Sequence, residues 1–206
     1  MYITNPAEIE AKSFEIIGEA MGEHNFNEKE LNIVKRTIHT TGDYDYQNIV
    51  VFQNDAVRRS IEAVKAGGRI VTDTQMAYAG INKKALEKAK CSIRCYIGHE
   101  EVYALSKEKG ITRSMAAVDM AAKEGGDIFV VGNAPTALFR IGELIKENKI
   151  SPKLVIGVPV GFVGAAESKE YIRKFGIPSI TTRGTKGGSN VAASVVNAVL
   201  YMAVGR

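Results

Sequence analysis

DIFVVGNAPTALFRIGELIKEN, residues 127–148, is the stretch that decides the fold. Residues 127–131 read as a strand, in which Ile128, Phe129, Val130 and Val131 follow one another with no polar alternation; Gly132 to Thr136 break it, and a helix-like segment over 135–148 follows. A strand that is apolar on every residue is covered on both faces, which is the signature of a parallel sheet inside an α/β protein. The same strand–helix unit recurs on either side. Short β-branched runs lie at 48–52, 69–72, 91–96, 153–158 and 178–182, and helix-like segments at 55–66, 83–90, 113–124, 165–175 and 188–203, with one more after Gly98. Two helices come first. Asn5 is placed to cap a helix with Pro6 at its first position, running through Ala7 to Met21, and a second helix runs from about Glu28 to His39 before stopping at Thr40, Thr41 and Gly42. The expected architecture is a three-layer, doubly wound, largely parallel α/β sheet with helices on both faces, preceded by an N-terminal helical pair. With no repeat or linker in the sequence, residues 1–206 read as a single domain.

The composition agrees with that class. Hydrophobic residues make up 45% and charged residues 24% of 206, which excludes a disordered chain, and two cysteines exclude a disulfide scaffold. The net charge of +4 is mild and never gathers into a basic run, so a small anionic ligand fits better than nucleic acid. No apolar stretch is long enough for a membrane span, and the N-terminus lacks the basic start of a signal peptide. A cytoplasmic, reduced protein is expected.

In a sheet of this kind ligands sit beyond the carboxyl ends of the strands. The segments there are Asp73 to Met76, Gly132 to Thr136, Pro159 to Ser168, and Arg183 to Asn190. Three are Gly-rich turns leading into helix N-termini, where free N–H groups favour anions, and the last adds Arg183 and Lys186. Glycine after a strand also serves for a tight turn alone, so the loops indicate a crevice without fixing its ligand. Nucleotide motifs fit poorly. The glycines from Gly157 have the wrong spacing for a dinucleotide fingerprint, and Lys186 is followed by Gly187 where a phosphate loop needs Ser or Thr. Cys91 and Cys95 have no second pair, and His99-Glu100-Glu101 lacks the second histidine of a zinc helix, so core packing and a surface place suit them better. No Gly-x-Ser-x-Gly elbow is present. Among three histidines, His24 lies in a polar link. His39 ends a helix, which favours the imidazolium, while Arg36 on the same face opposes it. That balance suits a general acid, and a capping role for His39 is the plain alternative.

Several segments taken together resemble one family. They are Arg36-Thr37-Ile38-His39-Thr40-Thr41-Gly42-Asp43, Thr72-Asp73-Thr74-Gln75-Met76, Val131 to Leu138 (VGNAPTAL), Gly157 to Lys169 (GVPVGFVGAAESK) and Arg183 to Ser189 (RGTKGGS). In order and spacing they resemble the precorrin-8X methylmutases, including the cobalt-precorrin-8 methylmutases, of cobalamin (vitamin B12) biosynthesis. The resemblance implies an isomerase that moves a methyl group from C11 to C12 of the corrin ring by a 1,5-sigmatropic shift. It implies no redox or methyl-donor cofactor and a homodimer with the tetrapyrrole near the subunit interface. The family's catalytic histidine falls on His39, and its substrate contacts on Ser13, Arg36 and Arg113. Thr40, Arg183 and Lys186 join them as candidate contacts for a polycarboxylate macrocycle, with Met76, Tyr78, Phe162 and Val163 offered to its apolar ring. Thr185 stands where the resemblance leads one to expect a basic residue, so that one carboxylate contact is either missing or made by Lys186 alone. A non-catalytic corrinoid-binding or carrier protein on the same fold is the competing expectation. It would need the crevice but not His39.

Overall fold

The computed structural model describes residues 2–205. The N-terminal pair forms as expected. The Asn5 side chain accepts from Ala7 and Glu8 N–H to start α1 (Pro6–Met21), with Pro6 in the first turn. α2 (Glu28–Thr41) begins with a capping box between Asn27 and Glu30. It ends where Gly42, at φ 67°, turns left-handed and donates its N–H to Ile38 O.

Six strands follow: β1 (Val50–Gln53), β2 (Arg69–Thr72), β3 (Ser92–Arg94), β4 (Ile128–Val131), β5 (Leu154–Gly157) and β6 (Ser179–Thr182). They form one sheet in the order β1-β6-β5-β4-β2-β3. All neighbours are parallel except β1, which runs antiparallel to β6 from Val50↔Thr182 to Gln53↔Ser179. Two strands differ from expectation by more than one residue at an end. Residues 48 and 49 belong to a helical turn, α3 (Tyr46–Ile49), whose Asn48 and Ile49 N–H groups bond Asp45 O. The expected strand over 91–96 shrinks to β3, an edge strand paired only with β2, so Cys91 and Cys95 flank it. Cys95 is buried and Cys91 half-buried with its Sγ toward Val64 O, and both are free.

One face of the sheet carries α2, α4 (Ala56–Lys65), α5 (Gln75–Gly80), α6 (Lys83–Lys88) and α11 (Ser189–Val204). The other carries α7 (Glu100–Lys109), α8 (Arg113–Glu124), α9 (Pro135–Lys146) and α10 (Ala165–Arg173). β4 shows why its sequence is apolar throughout: Ile128 and Val130 enter the first core, Phe129 and Val131 the second. α11 is buried along most of its length between α2, α4 and α5. It carries the N-terminal helices onto the sheet.

Candidate active site

α2 is positioned by its apolar stripe, Ile33, Val34, Thr37 and Ile38, which is buried against the core. Arg36 and His39, one turn apart, therefore project together toward α1. The Arg36 guanidinium lies over the Phe14 ring at 5.1 Å and the Tyr201 ring at 4.8 Å, and pairs with Glu10 at 2.5 Å. Burial pushes Arg36 down from its ordinary value. His39 is exposed and meets the same Phe14 ring edge-on at 5.7 Å. Phe14, Glu10, Arg36, Tyr201 and Met202 line a groove of about 760 Å³ between α1, α2 and α11, within the size range of small-molecule sites. Thr40 is exposed beside His39 on the last turn. Ser13, next to Phe14, donates its hydroxyl back to Ile9 O at 2.7 Å.

The end of α2 is tied to the strand-end loops. Lys186 Nζ reaches Asp43 Oδ2 at 2.6 Å and Asp45 Oδ2 at 3.1 Å. These bonds raise the Lys186 amine and lower the Asp43 carboxyl from their ordinary values. Tyr46 OH donates to Gly187 O, Gly161 N–H to Thr185 O, and Gly188 N–H to Val158 O. Gly187 packs so closely on this strand end that a Cβ would lie 2.0 Å from Val158 O, so only glycine fits. Arg183, on the same loop, keeps its side chain exposed while its N–H donates to Ile49 O. Phe162 and Val163 are 93% and 90% exposed on the neighbouring loop and Met76 is 70% exposed, so none of the three is core. Tyr78 is half-buried with Lys83 over its ring.

The strand order reverses between β2 and β4, and there the crevice is closed from within. The Asp73 carboxylate, buried at the end of β2, accepts N–H bonds from Gly132, Asn133 and Ala134 at 2.8–3.0 Å. Burial pushes the Asp73 carboxyl up from the ordinary range, against those three donors. The backbone groups that hold an anion at such a switch point are therefore committed to Asp73. Thr74 Oγ1 and Ser189 Oγ, 2.8 Å apart, join the same end to α11.

Arg36 and His39 are thus brought together around Phe14, and Lys186 and Arg183 share the loop bound to the end of α2. Arg113 is not among them. It starts α8 on the opposite face, with its guanidinium 5.8 Å from the Tyr103 ring. Sequence reading missed Phe14 and Glu10, for which no local signal exists. Asp43, Asp73 and Lys169 fall within the family-like segments, where the sequence alone gives them no role. His99 sits at the N-terminal boundary of α7 with its ring on Tyr96 and makes no side-chain capping bond, and His24 lies beside Phe26, both exposed. Among the described residues, no cluster of three or more His, Cys, Asp or Glu side chains could hold a metal, and no helix is long and apolar enough to cross a membrane.

Residues 8–202 match the family model described as precorrin-8X methylmutase. The chain is 46% identical to a cobalt-precorrin-8 methylmutase of Salmonella typhimurium over 207 residues, covering 97% of each protein. It is 43% identical to a cobalt-precorrin-8 methylmutase of Priestia megaterium over 199 residues, covering 96% of this chain and 88% of that one. Among solved structures it is similar to the precorrin-8X methylmutase of Thermus thermophilus, with a TM-score of 0.88 at 35% identity, covering 95% and 96% of the two chains.

Proposed function

The chain belongs to the precorrin-8X methylmutase family, and from that premise we propose that it moves the methyl group at C11 of the corrin ring to C12, converting cobalt-precorrin-8 to cobyrinate in cobalamin biosynthesis. The observation that carries this reading is the shared placement of Arg36 and His39 on Phe14, a ring that with Arg36 lines a groove of about 760 Å³. The cobalt form is favoured by the names of the relatives at 43% and 46% identity, against 35% for the structure named for precorrin-8X.

His39 acts as the general acid. It gives a proton to the macrocycle as the C11–methyl bond breaks and the C12–methyl bond forms, and recovers it afterwards, so the isomerisation leaves the proton balance unchanged. Arg36, Arg183 and Lys186 meet the acetate and propionate carboxylates, with Ser13 and Thr40 as neutral contacts. Met76, Phe162 and Val163 close on the ring and exclude water, which strengthens the effect of the His39 proton on the migrating centre. Arg113 starts on the other face of the sheet. We place it in the site of a second copy, which makes the active protein a homodimer acting in the cytoplasm, each chain a single domain.

Incubation of the purified protein with cobalt-precorrin-8, and separately with the metal-free compound, tests the reading. The visible spectrum should shift to that of cobyrinate, faster with the cobalt form. Tight binding of both compounds with no spectral change would overturn the methylmutase in favour of a corrinoid carrier.

A further inference from the structure

Lys169 lies on α10 with none of its surface exposed. Its Nζ donates to Thr182 Oγ1 at 3.1 Å and to Lys186 O at 3.0 Å, and Thr182 Oγ1 itself donates to Lys186 O at 2.8 Å. Three groups thus form a closed triangle beneath the turn that carries Arg183 and Lys186. Both acceptors of the ammonium are neutral. The charged group that acts on it is another cation, Arg173, whose guanidinium bonds Thr181 Oγ1 and Thr182 O and in turn feels Arg183. Exposed Glu170 offsets part of the charge of Arg173, while Lys169 is acted on by burial and Arg173 and bonds only the two neutral oxygens among the described residues.

A buried cation facing neutral oxygens costs stability that an apolar side chain of the same length would not. Burial, with Arg173 adding to it, pushes the Lys169 amine down to about 8. Nor is the ammonium needed to close the turn. The Thr182–Lys186 bond does that alone, and removal of the amine would leave both oxygens hydrogen-bonded. What the ammonium adds is a second donor that fixes the direction of the Lys186 carbonyl, and positive potential directly under Arg183 and Lys186.

Resting on the reading that this turn meets substrate carboxylates, we propose that Lys169 is a positioning residue for substrate binding, holding the 183–188 loop so that Arg183 and Lys186 face the macrocycle. It touches no reacting atom and acts through the loop.

The test uses the full-length protein and cobyrinate as probe. Lys169→Met fills the same space without charge. It should fold with an unchanged or higher Tm, bind cobyrinate about tenfold more weakly, and raise KM while kcat stays near wild type. A purely structural lysine would lower Tm and leave KM alone, and that result overturns the proposal. If Lys169→Met does not fold, Lys169→Gln, which keeps an uncharged donor for the two oxygens, is read the same way, and its failure to fold also overturns it. Arg183→Ala and Lys186→Ala separate the two levels. If both bind cobyrinate as wild type does, the binding role of the loop falls and the proposal with it. If they bind weakly while Lys169→Met binds normally, the proposal alone falls.

Discussion

Phe14 stands edge-on to His39, with ring centroids 5.7 Å apart, and the face of the same ring receives Arg36 at 5.1 Å. One side chain of α1 therefore sets the spacing between the proposed acid and the proposed carboxylate anchor. The two residues belong to one helix face, but their common support comes from another helix.

The division of labour predicts how His39→Ala fails. With Arg36, Arg183 and Lys186 intact, binding of cobyrinate, read from visible absorbance, should stay within about twofold of wild type. The rate of methyl migration should fall by about 10²–10⁴. A variant that turns over normally would remove His39 from the chemistry.

Glu10 predicts an effect of opposite sign. It pairs with Arg36 at 2.5 Å, and the two side chains are 15% and 17% exposed, so a substrate carboxylate at Arg36 must compete with it. Glu10→Gln should cost about 1–2 kcal/mol of stability. It should also tighten cobyrinate binding by up to about tenfold. Denaturant unfolding and a binding titration on the same preparation check both arms. Weaker binding would place Glu10, not Arg36, in contact with the ligand.

The sequence carried the fold further than it carried the site. Strands such as β4 and β5 are apolar at every position because both faces are covered, and that property is local. The Asn5–Pro6 start of α1 and the Gly42 stop of α2 are local too, so the end of α2 and His39 upon it were legible. The antiparallel edge was not. Its register joins Val50 to Thr182, and nothing in either segment records the partner. The same holds for Glu10 with Arg36, 26 residues apart, and for Asp43 with Lys186, 143 apart. Lys169 falls in the helix-like segment 165–175 with no local mark of burial, and only the closed packing beneath the 183–188 loop buries it.

Asp73 predicts a large loss of stability with a specific remedy. Its carboxylate accepts from Gly132, Asn133 and Ala134, so Asp73→Ala leaves three inward-facing N–H groups without their acceptor. The cost should be on the order of 3 kcal/mol or more. Because those donors form an anion nest, formate or acetate should raise the Tm of the variant well beyond its effect on wild type. Equal salt effects on both proteins would mean that the nest collapses without Asp73.

Asp119 supplies a pH dependence. It is buried on α8, with Arg140 Nε at 2.6 Å and Lys109 Nζ at 3.0 Å, and so ties α8 to α9 and to the end of α7. Burial pushes its carboxyl up, but the bonds from Arg140 and Lys109 outweigh that and hold it below the ordinary carboxylate value. A folded-state value lower than the unfolded one means that the unfolded chain takes up the proton first as the solution is acidified. The stabilisation is therefore complete above the ordinary carboxylate value of about 4 and is lost as pH falls through the lower folded value. Asp119→Asn should cost on the order of 3 kcal/mol at pH 7. It should also remove part of the acid-limb slope when unfolding free energy is measured against pH. An acid limb unchanged from wild type would assign that slope to other carboxylates, with Asp127, similarly lowered by Arg69 and Lys153, next to be substituted.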